Sequence, residues 1–206
     1  GKIVNSTARH RFDGYILGVG TPCSRRFVVG CWQRSPFGAF ADIMVAHPDG
    51  GELIAPNEEV GAYVCETYQF DQVTLSDVHV ARTSSKWVIA TDRSRLSATF
   101  GRRRLLGYPL RLVRGPLIHP VTARLSNPLA RRLVEGVQTH GSAGHGAHEY
   151  YVAQDLRRVA TLSGSWEGEP IGVLAPVTPA PQFGFSSTPQ IPSLTRVTTF
   201  IDRPGA

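Results

Sequence analysis

The sequence predicts an α+β fold made mostly of antiparallel strands, curled into a conical or closed β-barrel with a few short helices. Three observations carry this expectation. Runs such as RHRFDGYILGV at 9–19 alternate polar and apolar residues, the signature of half-buried strands. Turn clusters, SP at 35–36 and HPDGG at 47–51, punctuate those runs. Helical signals are sparse, with one capped stretch in the first hundred residues. At 206 residues, 41% hydrophobic and 18% charged, the chain has the size and composition of a single domain, 1–206, with a buried core.

After the first strand, RFVVGCW and FGAFADIMVAH read as two more. In PNEEVGAYVCETY, Asn57 can cap, Glu58 and Glu59 fill the first turn, and Val60, Val64 and Tyr68 recur on one side. That is a short helix. DQVTLSDVHVAR, KWVIAT and RLSATFG are strand-like. Residues 102–136 change character to a basic, leucine-rich stretch interrupted by prolines. Within it NPLARRLVEG has an Asn cap, Pro at the first helical position and Gly past the end. Strands return as HEYYVAQDL, RRVATLSGSWEG and SLTRVTTFID, with the proline-rich connector APVTPAPQ between the last two.

Charge is uneven. From Arg82 to Arg132 there are twelve basic residues against one acid, Asp92, while the remainder carries ten basic and fifteen acidic residues. Such a patch can mark a nucleic-acid or membrane footprint. Few aromatics interleave with these arginines and no nucleic-acid module is recognisable, so nucleic-acid binding is not expected. The basic residues are twenty arginines and only Lys2 and Lys86, a bias that fits a GC-rich bacterial genome. Cys23, Cys31 and Cys65 show no CxxC spacing, which suits reduced thiols in a cytoplasmic protein. No apolar run approaches the ~20 residues of a membrane span. The first residues lack a signal's apolar stretch, and Asn5 stands where N-myristoylation wants Ser or Thr. The G-x-G of YILGVGTP lacks its third glycine, no G-x-S-x-G elbow occurs, and Cys65 falls between the helix's apolar positions.

The order of these pieces resembles the acetoacetate decarboxylase-like family. PFGAFADIMVAHP looks like that family's strand with an aromatic-x-acid start, and NEEVGAYVCETYQF like its helix leading into a G-F-P-K-K turn. The paired strands from Asp71 to Gly101 have the same order. LVEGVQ and EYYVAQDLRRVATLSGSWEG resemble its proline-glycine turn and long hairpin, so the likeness spans residues 35–170. The resemblance implies a β-cone around a site where a turn lysine forms a Schiff base with a β-keto acid. Here the turn reads Tyr68-Gln69-Phe70-Asp71-Gln72-Val73, so Gln72 and Val73 stand where the lysines would be. The internal lysine, Lys86, reads as a solvated turn residue, and Schiff-base decarboxylation is not expected.

The family's carboxylate has a counterpart in Asp42 of Phe40-Ala41-Asp42. On strand alternation Asp42 shares a face with Phe40 and Met44, an acid on an apolar side that must pair with an arginine or titrate high, unless a bulge turns it to solvent. Tyr15 and Arg11 on the first strand, Gln72, and Tyr150 and Trp166 on the later hairpin complete the candidate ligand-binding set, although the aromatics could equally be core. The expected function is binding of a small molecule, with an organic acid as one candidate, on a cone that lacks the catalytic lysine. Two alternatives stand beside it: an enzyme using Asp42 with an arginine or tyrosine partner, and an interaction or membrane-surface protein acting through 102–136. No cofactor is expected, and a homo-oligomer is left open.

His140, His145 and His148 with Glu149 offer an alternative metal site, H-x₄-H-x₂-H. The gaps are glycine-rich, and ordering such a loop costs about 1–2 kcal/mol per residue fixed. A hairpin connection explains the same residues, so no metal is expected. Purified without an affinity tag, the chain should contain no stoichiometric zinc or nickel, and calorimetric titration should find no submicromolar site. A tight site lost on His145→Ala and His148→Ala would make these histidines the functional centre.

Overall fold

Alternating polar and apolar residues make this chain a sheet. The computed structural model of the chain describes residues 7–103, 138–142, 148–181, 183 and 189–204. Its strands are β1 (Thr7–Gly20), β2 (Arg26–Arg34), β3 (Phe40–His47), β4 (Gly50–Ala55), β5 (Gln72–Leu75) and β6 (His79–Arg82). They continue with β7 (Lys86–Ala90), β8 (Arg95–Arg103), β9 (Gln138–Ser142), β10 (His148–Trp166), β11 (Glu169–Pro170) and β12 (Ser193–Pro204). The helix α1 (Glu58–Thr67) lies between β4 and β5, and Asn57 caps it by accepting from the Val60 N–H at 2.9 Å. All strands join one sheet in the order β5-β4-β3-β2-β1-β12-β10-β8-β7-β6, with β9 and β11 on β10. The pairings are antiparallel except β4 with β5. The sheet curls strongly into a half-barrel, the cone-like α+β architecture the sequence predicts.

Three boundaries differ from expectation. The HPDGG turn is shorter than it reads, because Gly50 and Gly51 already pair with His47 and Ala46 to open β4. The run 71–82 is not one strand but two. Parallel pairing of β5 with β4, bridged by α1, stops where the Ser76 N–H reaches the Ala55 carbonyl at 3.0 Å. Residues 76–78 then carry the chain across to β6, the opposite edge of the sheet. The segments read as HEYYVAQDL and RRVATLSGSWEG fuse into the 19-residue β10, whose register shifts between Ala153 and Asp155 and twice more before Thr161. At its end Glu167 and Gly168, both at positive φ, form the two-residue turn into β11. The helix expected at 127–136, and all of 104–136, lie outside the described residues.

Curling gives the sheet a concave and a convex face. On the concave face Leu17, Val19, Phe27, Val29, Ile43, Val45, Ile89 and Leu96 are all but inaccessible and form the main core. Burying each such side chain contributes about 1.5–3 kcal/mol. The convex face is covered in part by α1, whose Val60 and Val64 pack on Leu53 and Ala55 with Phe40 and Met44 beside them. Arg203 of β12 holds the helix in place. It pairs with Glu66, donates to the Tyr63 carbonyl and Thr67 Oγ1 at 2.8 Å each, and lies 3.7 Å from the Tyr63 ring centroid. Among the described residues no helix is long and apolar enough to cross a membrane.

Gly164 in β10 has φ +130°, and a Cβ there would overlap the Arg95 carbonyl oxygen of neighbouring β8. Gly164→Ala is expected to cost about 2–4 kcal/mol through backbone strain and overpacking. The readout is a lower urea midpoint at unchanged m. An unchanged midpoint would mean that β8 and β10 separate there at no cost.

Candidate functional site

Strand alternation sorts the polar residues to two faces. Along β1, Phe12 and Ile16 point to the convex side, while Tyr15, Leu17 and Val19 point to the concave core. The concave face is apolar over most of its depth and turns polar at one end. There a cavity of about 380 Å³ is lined by Tyr15 of β1, Trp87 of β7, Leu194 and Arg196 of β12, Arg82 of β6, and Asp155 and Arg157 of β10. Thr83 and Ser84, from the β6–β7 turn, also line it.

Register places these side chains. Tyr15 pairs with Arg196 across β1–β12, and Asp155 pairs with Arg196 across β12–β10 once the register shift after Ala153 has been absorbed. Tyr15 meets Trp87 edge-on, with centroids 5.7 Å apart and planes at 80°. The Arg82 guanidinium sits 5.1 Å from the Tyr15 centroid and 5.8 Å from that of Trp87, and Arg196 approaches the same Tyr15 ring at 6.0 Å. Neither Arg82 nor Arg196 has an ion-pair partner among the described residues. Arg157 is held differently, 5.4 Å over the Phe100 ring and donating to the carbonyls of Ser84 and, at 3.2 Å, Gly101. Among the described lining residues are three guanidiniums and one carboxylate, that of Asp155.

Asp42 lies elsewhere. It shares the convex face with Phe40 and Met44, as alternation predicts, and is almost wholly buried. Its partners are the Trp32 indole N–H and its own backbone N–H, and among the described residues no arginine takes part. Gly30 opposite makes room, since a Cβ there would overlap the Asp42 carboxylate and crowd the indole nitrogen. Burial pushes the carboxyl up to about 7, against the lowering pull of the two N–H donors.

Of the predicted ligand residues whose side chains are described, Tyr15 alone lines the cavity. Phe40 and Met44 pack toward α1. Arg11 is bound to Asp13 at 2.9 and 3.2 Å and lies 5.7 Å from the Phe200 ring. Gln72 is exposed on β5 and reaches Thr74 Oγ1 at 3.4 Å, and Thr74 in turn donates to the buried Glu52. Trp166 is core, 4.9 Å from the Phe27 ring. Tyr150 pairs through its backbone with His140 and Phe200, but its side chain is outside the described residues. Lys86 is exposed at the start of β7 and does not line the cavity.

Part of the histidine-rich stretch is a strand. β9 pairs with β10 in a hairpin that sets His148 opposite Ser142, while His145 and the side chains of His140, His148 and Glu149 fall outside the described residues. Among the described residues no group of His, Cys, Asp or Glu could hold a metal ion. The residues missed from sequence are Arg82, Trp87, Asp155, Arg157 and Arg196. Arg196 did leave a signal, an arginine in the middle of the otherwise uncharged run SLTRVTTF.

No protein-family model matches the chain, and no curated protein matches it in sequence. Among solved structures it is similar to an acetoacetate decarboxylase from Legionella pneumophila, at 11% identity and a TM-score of 0.47, over 97% of this chain and 88% of that one. The family resemblance seen in the sequence is thus met by a distant structural likeness.

The Asp42 environment has a pH signature. An unfolded aspartate ionises near 3.8, whereas the folded one ionises near 7. Between those values the folded chain binds more protons than the unfolded chain. This group's stabilising contribution is therefore fully present below about pH 4, falls as pH rises to about 7, and is flat above. Asp42→Asn should remove this slope, measured as denaturant midpoints from about pH 4 to about pH 8. Parallel profiles for the two proteins would mean that Asp42 is ionised throughout.

Proposed function

We propose that the chain is a binding protein for a small organic anion, held in the cavity at the polar end of the cone. One observation carries the reading: Arg82 and Arg196 converge on the Tyr15 ring inside a cavity, with no acidic partner among the described residues. Guanidiniums brought together repel, and a planar forked cation is the side chain best matched to a carboxylate. A volume of about 380 Å³ lies in the range of small-ligand pockets, roughly 300–1,000 Å³. Trp87 and Leu194 supply apolar contact for a ligand's carbon skeleton.

Binding is favoured over catalysis through Asp42, because that acid faces the opposite side of the sheet from the cavity. The interaction or membrane-surface reading rests on 102–136, nearly all of which lies outside the described residues. The free thiols of Cys23, Cys31 and Cys65 suit a reducing compartment, and we place the protein in the cytoplasm.

Calorimetry with acetate, propionate and butyrate at low ionic strength is the test, with Trp87 quenching as a second readout. Saturable binding is expected, weakened about tenfold or more by Arg82→Gln or Arg196→Gln and by raising the salt to about 0.5 M. Arg93→Gln, which removes the same charge from an exposed turn, should leave the affinity within about twofold. No saturable binding of any of the three acids, or equal losses in all three variants, would refute the reading.

A further inference from the structure

The two aromatic rings that line the cavity are occupied by the protein's own side chains. Arg82 and Arg196 lie over the Tyr15 ring at 5.1 and 6.0 Å, and Trp87 meets that ring edge-on at 80°. Trp87 in turn has Arg82 over it at 5.8 Å and Phe100 edge-on at 6.0 Å, and it is only 3% exposed. Little face is therefore left on either ring for a ligand's own ring to stack on. The guanidiniums are the reverse case. Among the described residues neither Arg82 nor Arg196 has a hydrogen-bond or ion-pair partner. A ring attracts a guanidinium through its quadrupole and leaves the N–H fork for an oxygen acceptor.

We infer that Tyr15 is a positioning residue, whose ring holds Arg82 and Arg196 together, and that the anion they receive is an aliphatic carboxylate rather than an aromatic one. This deepens the anion-binding reading and rests on it. Like charges repel, and no shared strand keeps these two together, since β10, β8 and β7 lie between β12 and β6 in the sheet. The face of a π-system is negative, so one ring attracts both cations and offsets part of their repulsion. That attraction belongs to the ring and not to its hydroxyl. Phenylalanine would therefore serve in place of Tyr15, and leucine would not. A ligand's carbon skeleton then meets ring edges and Leu194, apolar contacts that saturated carbon fills without needing a free aromatic face.

The experiment is calorimetry on the full chain with butyrate, and with cyclohexanecarboxylate and benzoate, which share charge and ring size and differ in aromaticity. Tyr15→Phe should keep butyrate affinity within about threefold, whereas Tyr15→Leu should weaken it about tenfold and flatten its dependence on salt. Tyr15→Met, a second non-aromatic variant with a more adaptable side chain, should behave as Tyr15→Leu does and guards against reading a packing defect as lost positioning. The unaltered chain should bind cyclohexanecarboxylate about threefold or more tightly than benzoate. Non-aromatic variants that bind butyrate as the unaltered chain does would overturn the positioning role, as would Tyr15→Phe losing as much as they do. Benzoate binding as tightly as cyclohexanecarboxylate, or more tightly, would overturn the aliphatic assignment. Each of those results leaves the anion cavity standing. No saturable binding by any of these acids would remove both readings together.

Discussion

The antiparallel register between β1 and β12 is the constraint on which the rest of the molecule depends. It runs without a slip from Thr7 opposite Pro204 to Gly18 opposite Ser193. Side chains alternate with a period of two, so a shift of one residue would send every inward group outward. Held as it is, the register lines up Arg9 with Asp202, Arg11 with Phe200, Asp13 with Thr198 and Tyr15 with Arg196. Thr198 shows how closely this row is satisfied. It is fully buried, donates to Asp13 at 2.7 Å, and accepts from Gln154 of β10 at 2.6 Å. A buried hydroxyl left unpaired would cost about 1–3 kcal/mol. The Arg9–Asp202 pair at the row's end is two-pronged, at 2.6 and 2.7 Å, but with Arg9 40% exposed it adds little beyond orientation.

The sheet handles its two buried faces by different means. Aliphatic and aromatic side chains fill most of the concave face, its buried Glu52 is bonded to His47 and Thr74, and at the mouth a ring lies against each guanidinium. The convex face carries one deeply buried acid, and there the solution is neutralisation together with a single indole donor and a glycine opposite. These devices are not interchangeable. An arginine cannot discharge itself by losing a proton near neutral pH, whereas an aspartate can be sealed in as the acid.

Fold class and most strands were legible because alternation and turn residues are local signals. RFVVGCW and FADIMVAH declare their strands, and Asn57 declares its cap. Alternation also set Asp42 beside Phe40 and Met44. It could not say which face of the sheet would be concave, and so it grouped Asp42 with Tyr15 when the sheet stands between them. The break at 76–78 was hidden because QVTL and HVAR read alike while belonging to opposite edges, a fact fixed by α1 and long-range pairing. Asp155 and Arg157 were hidden by a register shift in β10, for which a one-residue count along the chain gives no warning.

Arg82 ends β6, a largely exposed four-residue strand that among the described strands is hydrogen-bonded to β7 alone. Short marginal strands open locally at far lower free energy than the long central ones. When β6 frays, Arg82 leaves the Tyr15 ring while the remainder of the cone stays folded. On the proposed reading, fraying and binding are linked: an occupant that contacts Arg82 would slow amide exchange along β6, and anything that loosens those four residues would weaken its affinity. Exchange protection along β6 would then report occupancy without a probe in the cavity.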